Sequence, residues 1–255
     1  MRRLKIIQVN IYKGKYLGDL VKFLKKEDAD VVTMQEVTKG DLGLDGAGAD
    51  SFNVIKSALG LNGFFNNDFV IFDMPGSMHG NAVLSKFPII STGVIRLNKF
   101  DAMNLKDFND QAKFPYFPRS IAQANLDVNG VEVAAMSVHG AWTAPPTDTP
   151  EVLRQAEMIA NHLRSFGNEP FLLGGDFNMP PQMKVIEKIN SVAQNFMRGS
   201  GIIQTTNPKV HKIAPRGYLI DYIFASKHFK LGSIKAPEVL VSDHLPVVAE
   251  VEFSK

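Results

Sequence analysis

The chain predicts an α/β (α+β) fold in which β-sheets pack face to face and helices cover the outside. Three observations predict it. Short apolar runs, each bounded by polar or turn-forming residues, recur along almost the whole length and are interleaved with a few helical segments. Two of these runs are joined by Asn129-Gly130, residues that both tolerate positive φ and so mark a tight hairpin. Thr149-Pro150-Glu151 opens a helix: Thr caps, Pro takes the first turn, and Glu favours the positive end of the dipole.

Element by element, Leu4 to Val9 reads as a buried strand ending at Asn10. A helix from about Tyr16 to Lys26 follows, with Leu17, Leu20, Val21, Phe23 and Leu24 on its apolar face. Asp30 to Gln35 is the next strand and ends at Glu36. The glycine-rich stretch Gly40 to Gly48 is read as a solvated loop, because its acidic residues lack calcium-loop spacing. Strands are expected over Asn81–Leu84, Ile89–Leu97, Ser120–Leu126 and Val131–Val138. The capped helix at Thr149 presents Val152, Ala156, Ile159, Leu163 and Phe166 on one face. Phe171-Leu172-Leu173 is a buried strand, a helix follows from about Pro181 to Ile189, and strands cover Leu219–Ala225 and Pro246–Phe253. With no repeat, low-complexity tract or linker, residues 1–255 are expected to form one domain.

Composition narrows the chemistry. Hydrophobic residues make up 45% and charged residues 21% of the 255, which suits a globular chain that buries a sizeable core. There is no cysteine, so disulfides, thiolate metal sites and cysteine nucleophiles are excluded. No apolar stretch matches a signal-peptide core or a membrane span, and the expectation is a soluble, cytoplasmic monomer with no evident protein partner. A formal net charge of +2 admits an anionic substrate but is too small for a dedicated nucleic-acid-binding domain.

Ser242-Asp243-His244-Leu245-Pro246 sets a carboxylate and an imidazole at the mouth of a buried strand. Asn10, Glu36, Asp176 and Asn178 likewise end apolar strands, the usual place for catalytic groups on a rigid scaffold. Singly, each such residue reads as a cap or turn former. Jointly, oxygen donors without cysteine favour a hard ion, Mg²⁺ or Mn²⁺, that can neutralise a phosphate during in-line displacement. In Gly174-Gly175-Asp176-Phe177-Asn178 the glycines permit close backbone approach, while Asp and Asn two apart share a side of an extended segment. The competing reading there is an Asx turn before Pro180-Pro181. Asp221, within the apolar Ile220-Asp221-Tyr222-Ile223-Phe224, is costly to bury unpaired, and His244 is its candidate partner. Trp142 follows His139 by three residues and reads either as packing or as a stacking surface for a base or apolar leaving group. His162 reads as a solvated residue on its helix, and His211 and His228 show no partner nearby in sequence.

The ordered series Asn10, Gln35-Glu36, His79-Gly80-Asn81 through Lys86, Pro118-Arg119-Ser120, Ser137-Val138-His139, Gly175-Asp176-Phe177-Asn178, Ile220-Asp221-Tyr222-Ile223 and Ser242-Asp243-His244-Leu245-Pro246 resembles the endonuclease/exonuclease/phosphatase superfamily over residues 4–252. The resemblance implies a four-layered, deoxyribonuclease-like sandwich of two mixed sheets flanked by helices, with the site at one end. It implies Glu36 as principal Mg²⁺ ligand, with Asn10 and Asp243 completing or bordering the metal site. It also implies His244, oriented by Asp221, as general base or phosphate holder, and Asp176 and Asn178 positioning water and scissile phosphate. His139 matches a histidine that contacts phosphate and assists the leaving group, and Arg119 a phosphate-contacting arginine. His79 and Asn81 are possible lining residues.

Departures from individual branches narrow the activity. Gln35-Glu36 is followed by Val37-Thr38 and Asn10 by Ile11-Tyr12, unlike the AP endonucleases. Val9 beside Asn10 differs from tyrosyl-DNA phosphodiesterases, and no aromatic membrane-binding hairpin is evident. The leading expectation is a Mg²⁺-dependent phosphodiesterase acting on DNA. The alternatives are a phosphatase or phospholipase C-type hydrolase of inositol phosphates or phospholipids, and a non-catalytic binding protein with the same fold.

Overall fold

The computed structural model describes residues 2–40, 50–74, 76–99, 101–213 and 216–254. All but Gly40 of the glycine-rich loop expected over 40–48 lies outside the described residues. In chain order the elements are β1 (Arg2–Asn10), α1 (Leu17–Glu27), β2 (Val31–Lys39), α2 (Ser51–Leu59), β3 (Asn62–Ile71), β4 (Met78–Ser85), β5 (Ile89–Arg96), β6 (Asp101–Met103), α3 (Leu105–Asn109), β7 (Ser120–Asp127), β8 (Glu132–His139), α4 (Pro150–Ser165), β9 (Phe171–Asp176), α5 (Lys184–Asn190), β10 (Gln194–Asn195), β11 (Asp221–Ala225), β12 (Phe229–Lys235) and β13 (Val247–Phe253).

Among the described residues these strands form a seven-stranded sheet, β12-β13-β1-β2-β4-β3-β6, and a six-stranded sheet, β10-β11-β9-β8-β7-β5. Both are mixed: β1 pairs parallel to β2 and antiparallel to β13, and β9 pairs parallel to β8 and antiparallel to β11. Neighbouring side chains of β1 show the layering. Ile6 points into the cluster shared with Leu173 and Ile223 of the second sheet, while Ile7 joins Leu20, Leu24 and Ile55 under α1 and α2. A strand buried on both faces needs a continuous apolar run rather than alternation, which is how β1 reads. Ile159 of α4 and Ile186 of α5 close the opposite face. The result is a four-layered sandwich of two mixed sheets between helices.

The hairpin and the cap form as the sequence predicts. Asn129 and Gly130 take φ of 56° and 82° between β7 and β8, and Thr149 accepts a hydrogen bond from the Val152 amide at 3.3 Å. Other boundaries move. β2 does not end at Glu36: it continues to Lys39 through a register shift between Met34 and Val37. Asp221 begins β11 instead of lying inside a strand. The helix expected from Pro181 starts at Lys184. β3 and β12 escape sequence reading for different reasons. β3 carries buried Asn66 and Asp68, which break its apolar pattern, and β12 is a largely exposed edge strand whose period is interrupted by a bulge between Leu231 and Ser233. His162, read as solvated, is half-buried with Nε2 2.8 Å from Gln123 Oε1, and His228, read as having no partner nearby, has Nδ1 3.1 Å from Ser226 Oγ. No helix among the described residues is long and apolar enough to cross a membrane.

Candidate active site

Sheet register assembles the floor of a cavity. β9 lies between β8 and β11, so Asp176 has His139 as its paired residue on one side and Asp221 on the other. β9 itself is held tightly against the first sheet: a Cβ on Gly174 would collide with the Thr33 hydroxyl and the Gln8 side-chain amide. From the first sheet, Asn10 at the end of β1 donates to Asp176 Oδ2 at 3.1 Å and to Glu36 Oε1 at 3.2 Å. Glu36 sits at the bulge of β2 with φ of 52°, a left-handed conformation that a non-glycine residue adopts at a cost. Asn178 also has a positive φ of 55°, and its amide donates to Asp176 Oδ1 at 2.9 Å. The segment after β9 is therefore an Asx turn, not extended, yet both side chains still line the cavity.

Two imidazoles flank Asp176. His244 Nε2 is 3.6 Å and His139 Nε2 3.4 Å from Asp176 Oδ2. Behind His244, Nδ1 lies 2.9 Å from Asp221 Oδ2. Asp221 is fully buried and accepts a further hydrogen bond at Oδ1 from Gln8 Nε2 at 3.3 Å. Gln8 in turn exchanges hydrogen bonds with Gln35, whose Nε2 donates to Ser137 Oγ at 2.9 Å. A polar chain thus runs from the seam between the sheets to His244. Gln8 was not singled out by sequence reading, although a glutamine inside Ile6-Ile7-Gln8-Val9 is the signal that marks it.

The electrostatics differ sharply across the floor. Burial opposes the charged form of His244, but Asp221 and Asp176 outweigh it and hold the imidazole well above its ordinary pKa. Burial, aided by the Arg119 charge, pushes His139 well below. Burial raises Asp176 to about 7 against the pull of His244, and raises Asp243 to about 6. Burial also works to raise Glu36, yet the Lys13 ammonium 3.7 Å away and the Asn10 hydrogen bond hold its carboxyl below the usual range.

Four of the remaining expectations are placed as follows. Arg119 is buried on the lining, with Nε lacking a hydrogen-bond partner. His79 also lines the cavity, stacked on Phe69 at 4.8 Å, and burial lowers its pKa to about 3. Trp142 lines the cavity, its ring T-shaped to that of Phe114 at 5.4 Å. Asn81 does not line the cavity: it turns away, donating to Asp68 Oδ2 and the Ser120 carbonyl, both at 3.0 Å. His211, to which the sequence assigned nothing, is buried on the lining with its ring 5.3 Å from that of His244. Its neighbour in space is 33 residues away in sequence, so no local pattern could have shown it.

Metal fit can be judged from the donors. Glu36 Oε2 is buried and accepts no hydrogen bond, with the Lys13 ammonium 3.7 Å away as its charge partner; a hard cation would fit beside it and Asn10. Donor atoms of His211, Asp243 and His244 also lie within 4.8 Å of one another, as do those of Asp176, Asp221 and His244.

The family model described as Endonuclease/Exonuclease/phosphatase family matches residues 7–244. No curated protein sequence gives a match. Among solved structures, an endonuclease/exonuclease/phosphatase from Beutenbergia cavernae DSM 12333 is similar with a TM-score of 0.76 at 19% identity, covering 99% of this chain and 72% of its own. A mannosyl-6-phosphatase from Bacteroides thetaiotaomicron VPI-5482 gives 0.70 at 17% identity over 98% of this chain and 100% of its own. D. rerio TDP2, complexed with single strand DNA product, gives 0.70 at 13% identity over 99% and 100%.

Proposed function

Because the chain belongs to the Endonuclease/Exonuclease/phosphatase family of metal-dependent phosphoesterases, we propose that it is a Mg²⁺-dependent phosphodiesterase that hydrolyses DNA, with Mn²⁺ able to replace Mg²⁺. The observation that carries this reading is the convergence of Glu36, Asn10, Asp176, His139 and His244 on one cavity, with a buried Glu36 oxygen that accepts no hydrogen bond.

Glu36 would be the principal ligand, with Asn10 and Asp243 completing or bordering the metal site. When bound, Mg²⁺ would supply Lewis-acid charge that neutralises a phosphate oxygen. The protein's own groups divide the rest. His244, kept protonated by Asp221 behind it, holds a phosphate oxygen, which favours this role over that of general base. Asp176, raised to about 7, is suited to taking the proton of the attacking water near neutral pH, and Asn178 orients that water and the phosphate. His139 is neutral; it donates a hydrogen bond to the phosphate and assists the leaving oxygen. Arg119 brings a buried cation with an unfilled donor to the same anion.

Plasmid nicking in Mg²⁺ is the test. It is expected to vanish with EDTA, and to fall by roughly 10³-fold or more in kcat with Asp176→Asn, with binding little changed. Hydrolysis confined to inositol phosphates, sugar phosphates or phospholipids would replace DNA with a phosphatase or phospholipase C-type substrate. No turnover of any phosphoester would leave a binding protein of the same fold.

A further inference from the structure

One wall of the cavity is not used by this chemistry. Phe108 and Phe117 are buried in a separate apolar cluster with Phe69 and Ile71, their rings stacked at 6.1 Å and 7°. Phe114 packs on Phe117 at 5.1 Å and also meets Trp142, with ring centres 5.4 Å apart at 76°. A simple extension of the core would bury all of these rings. Phe114 and Trp142 instead remain half-buried and line the cavity.

Charge meets this wall at its base. Lys13 Nζ lies 5.2 Å from the centre of the Phe108 ring and 3.7 Å from Glu36 Oε2. The cavity therefore offers an ionic floor for a phosphate with an aromatic surface directly beside it. The whole cavity, floor included, has a volume of about 230 Å³, against the ~150 Å³ of a cavity that accommodates a benzene ring. An anionic group alone would leave the apolar side in contact with water, whereas a planar ring would cover it with apolar surface.

We infer that Phe114 and Trp142 form a subsite for a planar aromatic ring attached next to the scissile phosphate, so that the preferred phosphoester carries a nucleobase or an aryl group there. The inference rests on the phosphoesterase reading for where the phosphate sits, but ring binding itself does not require turnover. Aromatic faces bind rings of any sequence, because stacking depends on the π-surface and not on a hydrogen-bond code.

Trp142 is the sole tryptophan, so the protein's indole fluorescence reports on this subsite alone. Titrations of metal-free protein with dTMP, dAMP, phenyl phosphate, mannose 6-phosphate and inorganic phosphate should separate the cases. Saturable change of the Trp142 emission is expected with the two nucleotides and phenyl phosphate, and not with the sugar phosphate or inorganic phosphate. Phe114→Ala, in a protein whose melting remains cooperative, should weaken ring-bearing ligands about tenfold and leave inorganic phosphate affinity unchanged by calorimetry. Phe114→Tyr should retain them. A stronger response to nucleotides than to phenyl phosphate identifies the base as the ring, and the reverse identifies an aryl ester. Equal responses to ring-bearing and ring-free phosphates, or none to either while calorimetry records binding, would overturn the subsite. Ring binding without hydrolysis of any phosphoester would sink the proposed activity and keep the subsite; hydrolysis indifferent to the ring would do the opposite.

Discussion

His244 and His139 both approach one carboxylate oxygen of Asp176, at 3.6 and 3.4 Å, yet carry opposite charge tendencies. Both are buried, so desolvation works against the imidazolium in each. The difference lies behind the rings. His244 is backed by Asp221, itself tied to Gln8, whereas the next influence on His139 is the cation of Arg119. What faces a histidine from the rear decides its protonation state, and so decides which ring can hold an anion by charge and which can only donate a hydrogen bond.

The largest expected effect is an asymmetry between these two histidines. His244→Ala should lower kcat by roughly 10³-fold or more, and His139→Ala by about 10- to 100-fold, measured on one Mg²⁺-saturated substrate. Equal losses would break the contrast. Asp221→Asn should cost about 10²-fold and act through His244. Without that carboxylate the His244 pKa falls, so the alkaline limb of kcat/KM should move to lower pH. An unmoved limb would mean that Asp221 merely packs.

Glu36→Gln tests the metal side and should raise the Mg²⁺ needed for half-maximal activity by about 10- to 100-fold. If metal dependence stays the same, Glu36 is not the principal ligand. The smallest effect is on stability. Asp176 and Asp243 have folded pKa values of about 7 and about 6, above their ordinary 3.8. Their contribution is greatest at and below that ordinary value and is lost as pH rises to about 7. For His244, raised above 6.5, the contribution is complete below 6.5 and lost as pH climbs through the folded value. All three therefore weaken the metal-free protein as pH rises. A cation that takes the place of these protons should stabilise it more at pH 8 than at pH 5. Thermal melts with Mg²⁺ or EDTA at the two pH values check this; an equal or reversed increment would show that the site carboxyls are not titrating as described.

The wall of the cavity was harder to foresee than its floor. Asn10, Glu36, Asp176 and Asp243 stand out because a polar residue interrupting an apolar run is visible locally. Phe108, Phe114 and Phe117 do not, because aromatics in a single short helical turn or the residues after it look the same whether they fill a core or face a ligand. Trp142 was legible only as one of two readings, and in the fold it lines the cavity in contact with Phe114. Asn81 failed for the complementary reason: its strand was anticipated, but buried Asp68, on a strand that was not, turns its side chain away.

The amino-acid order alone determined the sandwich, the hairpin at Asn129-Gly130, the cap at Thr149, and the absence of any thiolate chemistry. Periodicity, turn preference and composition are local properties, so they survive without coordinates. Only the tertiary structure decided that His139, Asp176 and Asp221 fall in one row across three strands, that His211 stands beside His244, and that two buried imidazoles differ in charge. Those outcomes depend on strand register and on what lies within a few ångströms through space, and in low-dielectric surroundings such proximity outweighs any intrinsic preference of the side chain.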